Sequence, residues 1–142
     1  MIRKLQKADI NSVADIWLDT NLKAHKFIPA QYWKNNFELV KELLSQAEVY
    51  VYESDQEIQG FIGLNGKYIE GIFVSDKLQS QGIGKHLLDY AKAKKTKLHL
   101  NVYQKNIRAI RFYQREKFEI QCESLDEATG EKDYVMVWDR EK

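Results

Sequence analysis

The sequence has one cysteine, Cys122, so no disulfide can close within a single chain. It has one proline, Pro29, which leaves nearly every segment free to donate backbone N–H groups to helices or sheets. No apolar run approaches the roughly 20 residues that would span a bilayer. The opening stretch Met1 to Asp9 is polar and lacks the apolar segment of a signal peptide. Charge of one sign is also missing: 22 Lys and Arg against 21 Asp and Glu leave +1. That balance gives no bulk pull toward nucleic acid or an anionic membrane. There is no internal repeat and no Pro/Gly/Ser linker. These absences point to a cytoplasmic protein with no nucleic-acid or membrane partner, and to a single domain over residues 1–142 with a real core. No pair among His25, His86 and His99 has convincing metal spacing, so no metal is expected.

What is present is an alternation of hydrophobic periods. Ile2 to Gln6 predicts a short strand. Asp9 is a candidate N-cap for a helix to about Lys23, with Ile10, Val13, Ile16 and Trp17 at helical spacing. A break at His25–Ala30 holds the proline. Tyr32, Trp33, Phe37, Val40, Leu43 and Leu44 then predict a second helix to about Gln46. Val49 to Tyr52, Ile58 to Leu64 and Tyr68 to Val74 read as a three-strand meander, turned at Ser54–Glu57 and at Asn65-Gly66. A helix to about Lys95, a strand Leu98–Tyr103, a helix Asn106–Glu116 and a strand Phe118–Glu123 follow. A turn at Thr129-Gly130 leads into a last strand, Tyr134–Trp138. The order β-α-α-β-β-β-α-β-α-β-β predicts an α+β or α/β fold, a mixed sheet with helices on both faces.

Two motifs carry chemistry. Gln79-Ser80-Gln81-Gly82-Ile83-Gly84 leads into an amphipathic helix whose stripe is Ile83, Leu87, Leu88 and Ala91. Glycines let the backbone approach a ligand, and a helix N-terminus attracts phosphate. Lys85 adds a nearby cation. Two common nucleotide motifs do not fit: a dinucleotide fingerprint needs glycine where Leu87 stands. A P-loop needs glycine at Gln79 and Ser or Thr at His86. Alone, the G-x-G turn also serves as a plain helix start. The second motif, Asn106-Ile-Arg-Ala-Ile-Arg-Phe-Tyr113, puts a phenol on a later apolar helix. Its Arg108, Arg111 and Arg115 share one helical face, available to solvent or to a nucleotide phosphate.

The set Ile72-Phe73-Val74, Gln79-x-x-Gly82-x-Gly84 and Asn106-x-x-Ala109-x-x-Phe112-Tyr113 before Phe118 resembles the GCN5-related N-acetyltransferase family, over nearly the whole chain. Trp17, His25-x-Phe27 and Tyr103-Gln-Lys-Asn106 look like a subset of small bacterial amine or protein-lysine acetyltransferases. The resemblance implies acetyl-CoA as cosubstrate. The backbone of Ile72, Phe73 and Val74 would pair with the pantetheine arm as an added strand does. An N–H near Ile72 would receive the oxyanion. Gln79, Ser80, Gln81, Gly82, Ile83, Gly84 and Lys85 would hold the pyrophosphate, and Asn106 the cofactor arm. Tyr113 would be the acid that protonates the leaving thiolate.

Two departures stand out. Lys117 replaces a frequent glycine before Phe118. Asn101 stands where a common subset has a Glu base five residues before the asparagine, and an amide cannot take the amine proton. Glu70 and His25 are therefore the candidate bases. Glu70 shares a face with Ile72 unless a bulge intervenes, and a histidine titrates near neutrality. Phe27, Tyr32, Trp33, Tyr68 and Tyr103 are candidate walls of an acceptor cleft. The expected activity is direct acetyl transfer to a primary amine: a protein lysine, a protein N-terminus or a small amine. The expected state is monomer or homodimer. Rivals are a CoA-binding sensor or interaction module without turnover, and a nucleotide-binding protein without acyl chemistry.

Overall fold

In the computed structural model, residues 1–79 and 81–141 are described. Ser80, one of the expected phosphate-loop residues, lies outside them. The strands are β1 (Ile2–Lys4), β2 (Glu48–Ser54), β3 (Glu57–Asn65), β4 (Tyr68–Val74), β5 (Lys97–Tyr103), β6 (Glu119–Asp126) and β7 (Glu131–Asp139). They form one seven-stranded sheet in the order β1-β2-β3-β4-β5-β7-β6. Every neighbouring pair is antiparallel except β4 and β5, which run parallel. The helices are α1 (Ile10–Ala24), α2 (Ala30–Asn35), α3 (Phe37–Leu44), α4 (Ile83–Lys94) and α5 (Ile107–Arg115). None of them is long and apolar enough to cross a membrane. The mixed sheet with helices on both faces is the predicted architecture.

Period-2 alternation sorts the strand residues between two cores. Ile62, Leu64, Ile69, Leu98, Leu100, Val102 and Met136 pack with Leu87 and Leu88 of α4 and Ile110 and Tyr113 of α5. Val49, Val51 and Phe61 pack on the other face with Val13 and Ala14 of α1 and Leu44 of α3. Beyond β4, the β5–β7–β6 part of that second face has no helix of its own, so His99 and Tyr103 are only partly covered and Asn101 is exposed.

The sequence expectations need three local corrections. The single helix from Tyr32 to Gln46 is two, because Asn36 turns its amide back to the Tyr32 carbonyl (2.7 Å) and ends α2. With that break, Leu43 is 55 % exposed rather than part of the apolar stripe. Asp9 does not cap α1 with its side chain. Its carboxylate accepts the Gln6 N–H and a bidentate pair from Arg3 (2.7 and 3.1 Å), which ties β1 to the start of α1. The turn between β3 and β4 centres on Gly66-Lys67 rather than Asn65-Gly66, since Asn65 pairs with Tyr68.

The end of α5 shows why Lys117 stands where glycine is frequent. Phe118 N–H donates to the Tyr113 carbonyl and Lys117 N–H to that of Gln114. The Phe118 ring packs 5.5 Å from the Tyr113 ring. This is a Schellman ending, which needs a left-handed residue after the cap. Lys117 supplies it at φ 74°. A residue with a Cβ costs about 1–2 kcal/mol there. Lys117→Gly is expected to raise unfolding free energy by about 1 kcal/mol, read from urea denaturation of the two proteins.

Candidate active site

The parallel pair is where the sheet opens. β4 and β5 meet in register at one pair, Tyr68 and His99. Beyond it they diverge. A bulge lies at the same place: Leu64 pairs with Ile69 and Gly63 with Gly71, so Glu70 is the extra residue. A bulge raises local twist and bends its strand. The Phe73 ring then packs over Gly71, where a Cβ would collide with it, and stacks on Phe61 at 4.9 Å.

Register says which way the freed backbone faces. Ser75 N–H donates to the Gln59 carbonyl at 2.9 Å, so the Phe73–Phe61 pair, two residues back, is also a hydrogen-bonded one. Ile72 and Val74 therefore direct their N–H and C=O groups away from β3, into the gap. Gln79 Nε2 donates to the Val74 carbonyl from that side at 3.1 Å, and Arg108 holds the Gln79 Oε1 at 3.0 Å.

The gap opens into a cleft of about 750 Å³. Its lining brings together Ile72, Phe73, Val74, Gln79, Gly82, Ile83, Gly84, Lys85, Asn106, Tyr113 and His25. Gly82, at φ 85°, makes the left-handed turn that starts α4. Lys23, Lys85, Arg108 and Arg115 stand in the wall; Lys23 is shared with Asp19 (3.1 Å) and Asp76 (3.4 Å), and Lys85 with Glu116 (3.0 Å) and Asp89 (3.4 Å). Tyr113 is buried on α5, and burial pushes its phenol up, with Tyr68 adding to the rise. The phenol is thus held protonated. An unpaired strand edge, a glycine turn at a helix start, cations and a buried phenol suit a long thioester donor carrying phosphates. Among the described residues no group of three His, Cys, Asp or Glu side chains is arranged to hold a metal ion.

A family model described as an acetyltransferase (GNAT) domain matches residues 45–120. Peptidyl-lysine N-acetyltransferase YiaC of Escherichia coli (strain K12) is 34 % identical over 140 residues, 97 % of this chain and 96 % of that protein. The chain belongs to the GNAT acetyltransferase family. The solution structure of apo-form YjaB from Escherichia coli has a TM-score of 0.87 at 23 % identity, covering 97 % of this chain and 96 % of that one. The PaiA N-acetyltransferase of Thermoplasma acidophilum, crystallised in complex with coenzyme A, has a TM-score of 0.83 at 20 % identity over 98 % of each chain. As a GNAT member the protein is an N-acetyltransferase with acetyl-CoA as donor.

The two candidate bases sit in different surroundings. Glu70 is the bulged residue, exposed and outside the cleft lining, so it does not continue the face of Ile72 as plain alternation would have it. His25 lines the cleft, with both ring nitrogens engaged. Asn106 caps α5 by accepting the Ala109 N–H on Oδ1. Its Nδ2 therefore faces His25 Nε2, at 3.1 Å. Nε2 accepts, so Nδ1 carries the hydrogen and donates to Asn21 Oδ1 at 3.0 Å. Asn21 Nδ2 closes the series on the Trp17 carbonyl at 2.8 Å. This is a neutral imidazole with its lone pair already used.

The expected acceptor walls divide. Phe27, Trp33 and Tyr103 surround His25 at ring distances of 5.6, 5.5 and 5.0 Å, and Tyr32 packs edge-on to Trp33 at 4.9 Å. Tyr103 donates to Asp126 at 2.6 Å. Tyr68 stands apart, donating to Asn101 Oδ1 at 3.0 Å. Gln81 is exposed and outside the cleft lining. Sequence reasoning missed Asn21, which carries no motif, and gave no role to Phe112 of the tyrosine motif, whose ring covers Gly84.

Burial pushes His25 down to about 4 from 6.5. Between those values the unfolded chain binds the proton and the folded one does not, so this contribution to stability is complete above pH 6.5 and is lost as pH falls toward 4. The ring is expected to titrate near pH 4 by NMR, from the Nδ1–H tautomer. A His25→Ala variant is expected to lose less stability than wild type between pH 7 and pH 5, measured by urea denaturation at about those two values.

Proposed function

We propose that this GNAT protein transfers the acetyl group of acetyl-CoA to the side-chain amine of lysine in peptides or proteins. The observation that carries this is its 34 % identity, over 97 % of the chain, to a peptidyl-lysine N-acetyltransferase. That likeness also disfavours a sensor without turnover. Residues 1–142 act as one domain, as a monomer or homodimer, and the exposed, unpaired Cys122 fits a reducing cytoplasm.

Each site residue has a role that follows from its chemistry. Ile72 and Val74 offer backbone groups to the pantetheine arm, and Ile72 N–H is the donor for the oxyanion. Gly82, Ile83 and Gly84 open α4 toward the pyrophosphate, with Gln79 and Lys85 flanking it. Tyr113 gives its phenolic proton to the departing thiolate as the C–N bond forms and the C–S bond breaks. The lysine ammonium first gives one proton to solvent, and Tyr113 regains its own from the nitrogen after the C–N bond forms, so the enzyme ends unchanged. Phe27, Tyr32, Trp33, Tyr68 and Tyr103 guide the aliphatic stem of the lysine. His25 serves as a neutral hub, held by Asn106 and joining it to Asn21, rather than as a base. Glu70, outside the cleft, acts at the acceptor's approach.

Thiol release from acetyl-CoA in the presence of lysine peptides, N-terminal peptides and small amines tests the reading; turnover with small amines alone would overturn the lysine assignment. Tyr113→Phe is expected to lower kcat by about a hundredfold while acetyl-CoA affinity stays within about twofold. A variant with full activity would remove the acid role. Gly84 has ordinary contact space toward Phe112 at 3.5 Å and Val74 at 3.8 Å. Gly84→Ala is therefore expected to bind coenzyme A nearly as wild type does. Gly84→Glu, with its negative charge at the phosphates, is expected to bind about tenfold or more weakly by calorimetry.

A further inference from the structure

Asp133 is a buried carboxylate that the roles above do not use. It lies on β7 opposite Tyr103 of β5, with 5 % of its surface exposed. Among the described residues no lysine, arginine or histidine makes an ion pair with it. Its carboxylate takes a hydrogen bond from Asn101 Nδ2 at 3.3 Å. Burying a carboxylate without a cation costs stability. A structural task on this strand would be met as well by an uncharged side chain.

Asn101 continues the connection. Its Oδ1 accepts the Tyr68 O–H at 3.0 Å. Asp133, Asn101 and Tyr68 thus form one chain across β7, β5 and β4, beside the Tyr68–His99 pair where the sheet parts. The carboxylate sets its direction. A carboxylate only accepts, so the amide turns Nδ2 toward Asp133 and Oδ1 toward Tyr68. Tyr68 must then donate, which leaves its phenolic oxygen free to accept an N–H. The Tyr68 phenol is pushed up first by burial and then by the negative charges of Glu70, Asp133 and Asp126, with the Asn101 hydrogen bond acting the other way. His99 lies 5.2 Å away, ring to ring, on β5. Tyr113 of α5 feels the Tyr68 phenol from the cofactor side.

We propose that Asp133, acting through Asn101, orients Tyr68 as the hydrogen-bond acceptor for the ammonium of the incoming lysine and supplies the negative charge that draws it in. The proposal rests on the lysine-acetylation reading. Asp133 and Asn101 are positioning residues; Tyr68 is the group that touches the substrate. No proton passes along the chain, because the amide in its middle does not carry one. The carboxylate absent at position 101 is supplied from the neighbouring strand.

The test is a set of variants assayed with acetyl-CoA and a lysine peptide. Asp133→Asn is expected to fold with an equal or higher thermal midpoint, to bind acetyl-CoA as wild type does, and to raise KM for the peptide about tenfold. Tyr68→Phe should match that loss, and the double variant should be no worse than the poorer single one. Exchanging the pair, Asn101→Asp with Asp133→Asn, keeps one carboxylate and one amide in contact and leaves Tyr68 a donor, so most of the peptide affinity should return. An unchanged KM in Asp133→Asn overturns the proposal. So does a double variant whose losses multiply, or a folded exchange variant that does not recover KM. Wild-type protein that releases no thiol with any lysine peptide overturns the lysine reading and this proposal together. Wild-type turnover matched by Asp133→Asn overturns this proposal alone.

Discussion

The separation of β4 from β5 is the constraint on which the site depends. A sheet satisfies its backbone by pairing neighbours, and here two neighbours pair once, at Tyr68 and His99, and then part. The Glu70 bulge adds twist at that point. Gly71 gives the Phe73 ring the room to fold back over the strand onto Phe61. What would be an edge defect elsewhere becomes a slot, in which Ile72 and Val74 turn backbone groups that β3 does not pair toward a ligand that can act as the missing strand, with Gln79 on the Val74 carbonyl.

Two hydrogen-bonded series flank that slot, and both are polarised by one fixed end. On the cofactor side, the N-cap of α5 orients Asn106, which sets the His25 tautomer and through it Asn21 of α1. The start of the tyrosine helix is thereby joined to the segment that carries Phe27 and Trp33. On the acceptor side, the Asp133 carboxylate orients Asn101 and through it Tyr68. The two phenols have opposite tendencies: Tyr113, in the cleft lining, is held protonated by burial, while the Tyr68 hydrogen is committed to Asn101. The Schellman ending at Lys117 holds Tyr113 from behind by fixing Phe118 against its ring.

Much of the fold was legible in the residues because it rests on local periods. Alternation in Val49–Tyr52, Ile58–Leu64 and Leu98–Tyr103, and helical spacing in Ile83–Ala91, each imply one element whatever surrounds them. The break inside the second helix was not legible, since the Asn36 amide competes with the helix through a hydrogen bond that no apolar pattern reveals. The cofactor half of the candidate site was readable for a related reason: Gln79 to Gly84 and Asn106 to Tyr113 are contiguous motifs whose chemistry is local. The proposed acceptor half draws on residues far apart in the chain, Tyr68, Asn101 and Asp133 among them, and no spacing joins those.

By itself, then, the sequence determined the order of the strands along the chain, a mixed sheet with helices on both faces, the glycine turn and the phenol, because backbone propensity and hydrophobic period act over a few residues. Only the tertiary structure decided which backbone groups stand free in the gap, that Glu70 is bulged away from the cleft, and that the His25 lone pair is already taken. It also decided that a carboxylate on β7 stands behind Asn101. These are matters of strand register and of hydrogen bonds between residues distant in sequence. They become fixed once the sheet is built and its neighbours are chosen.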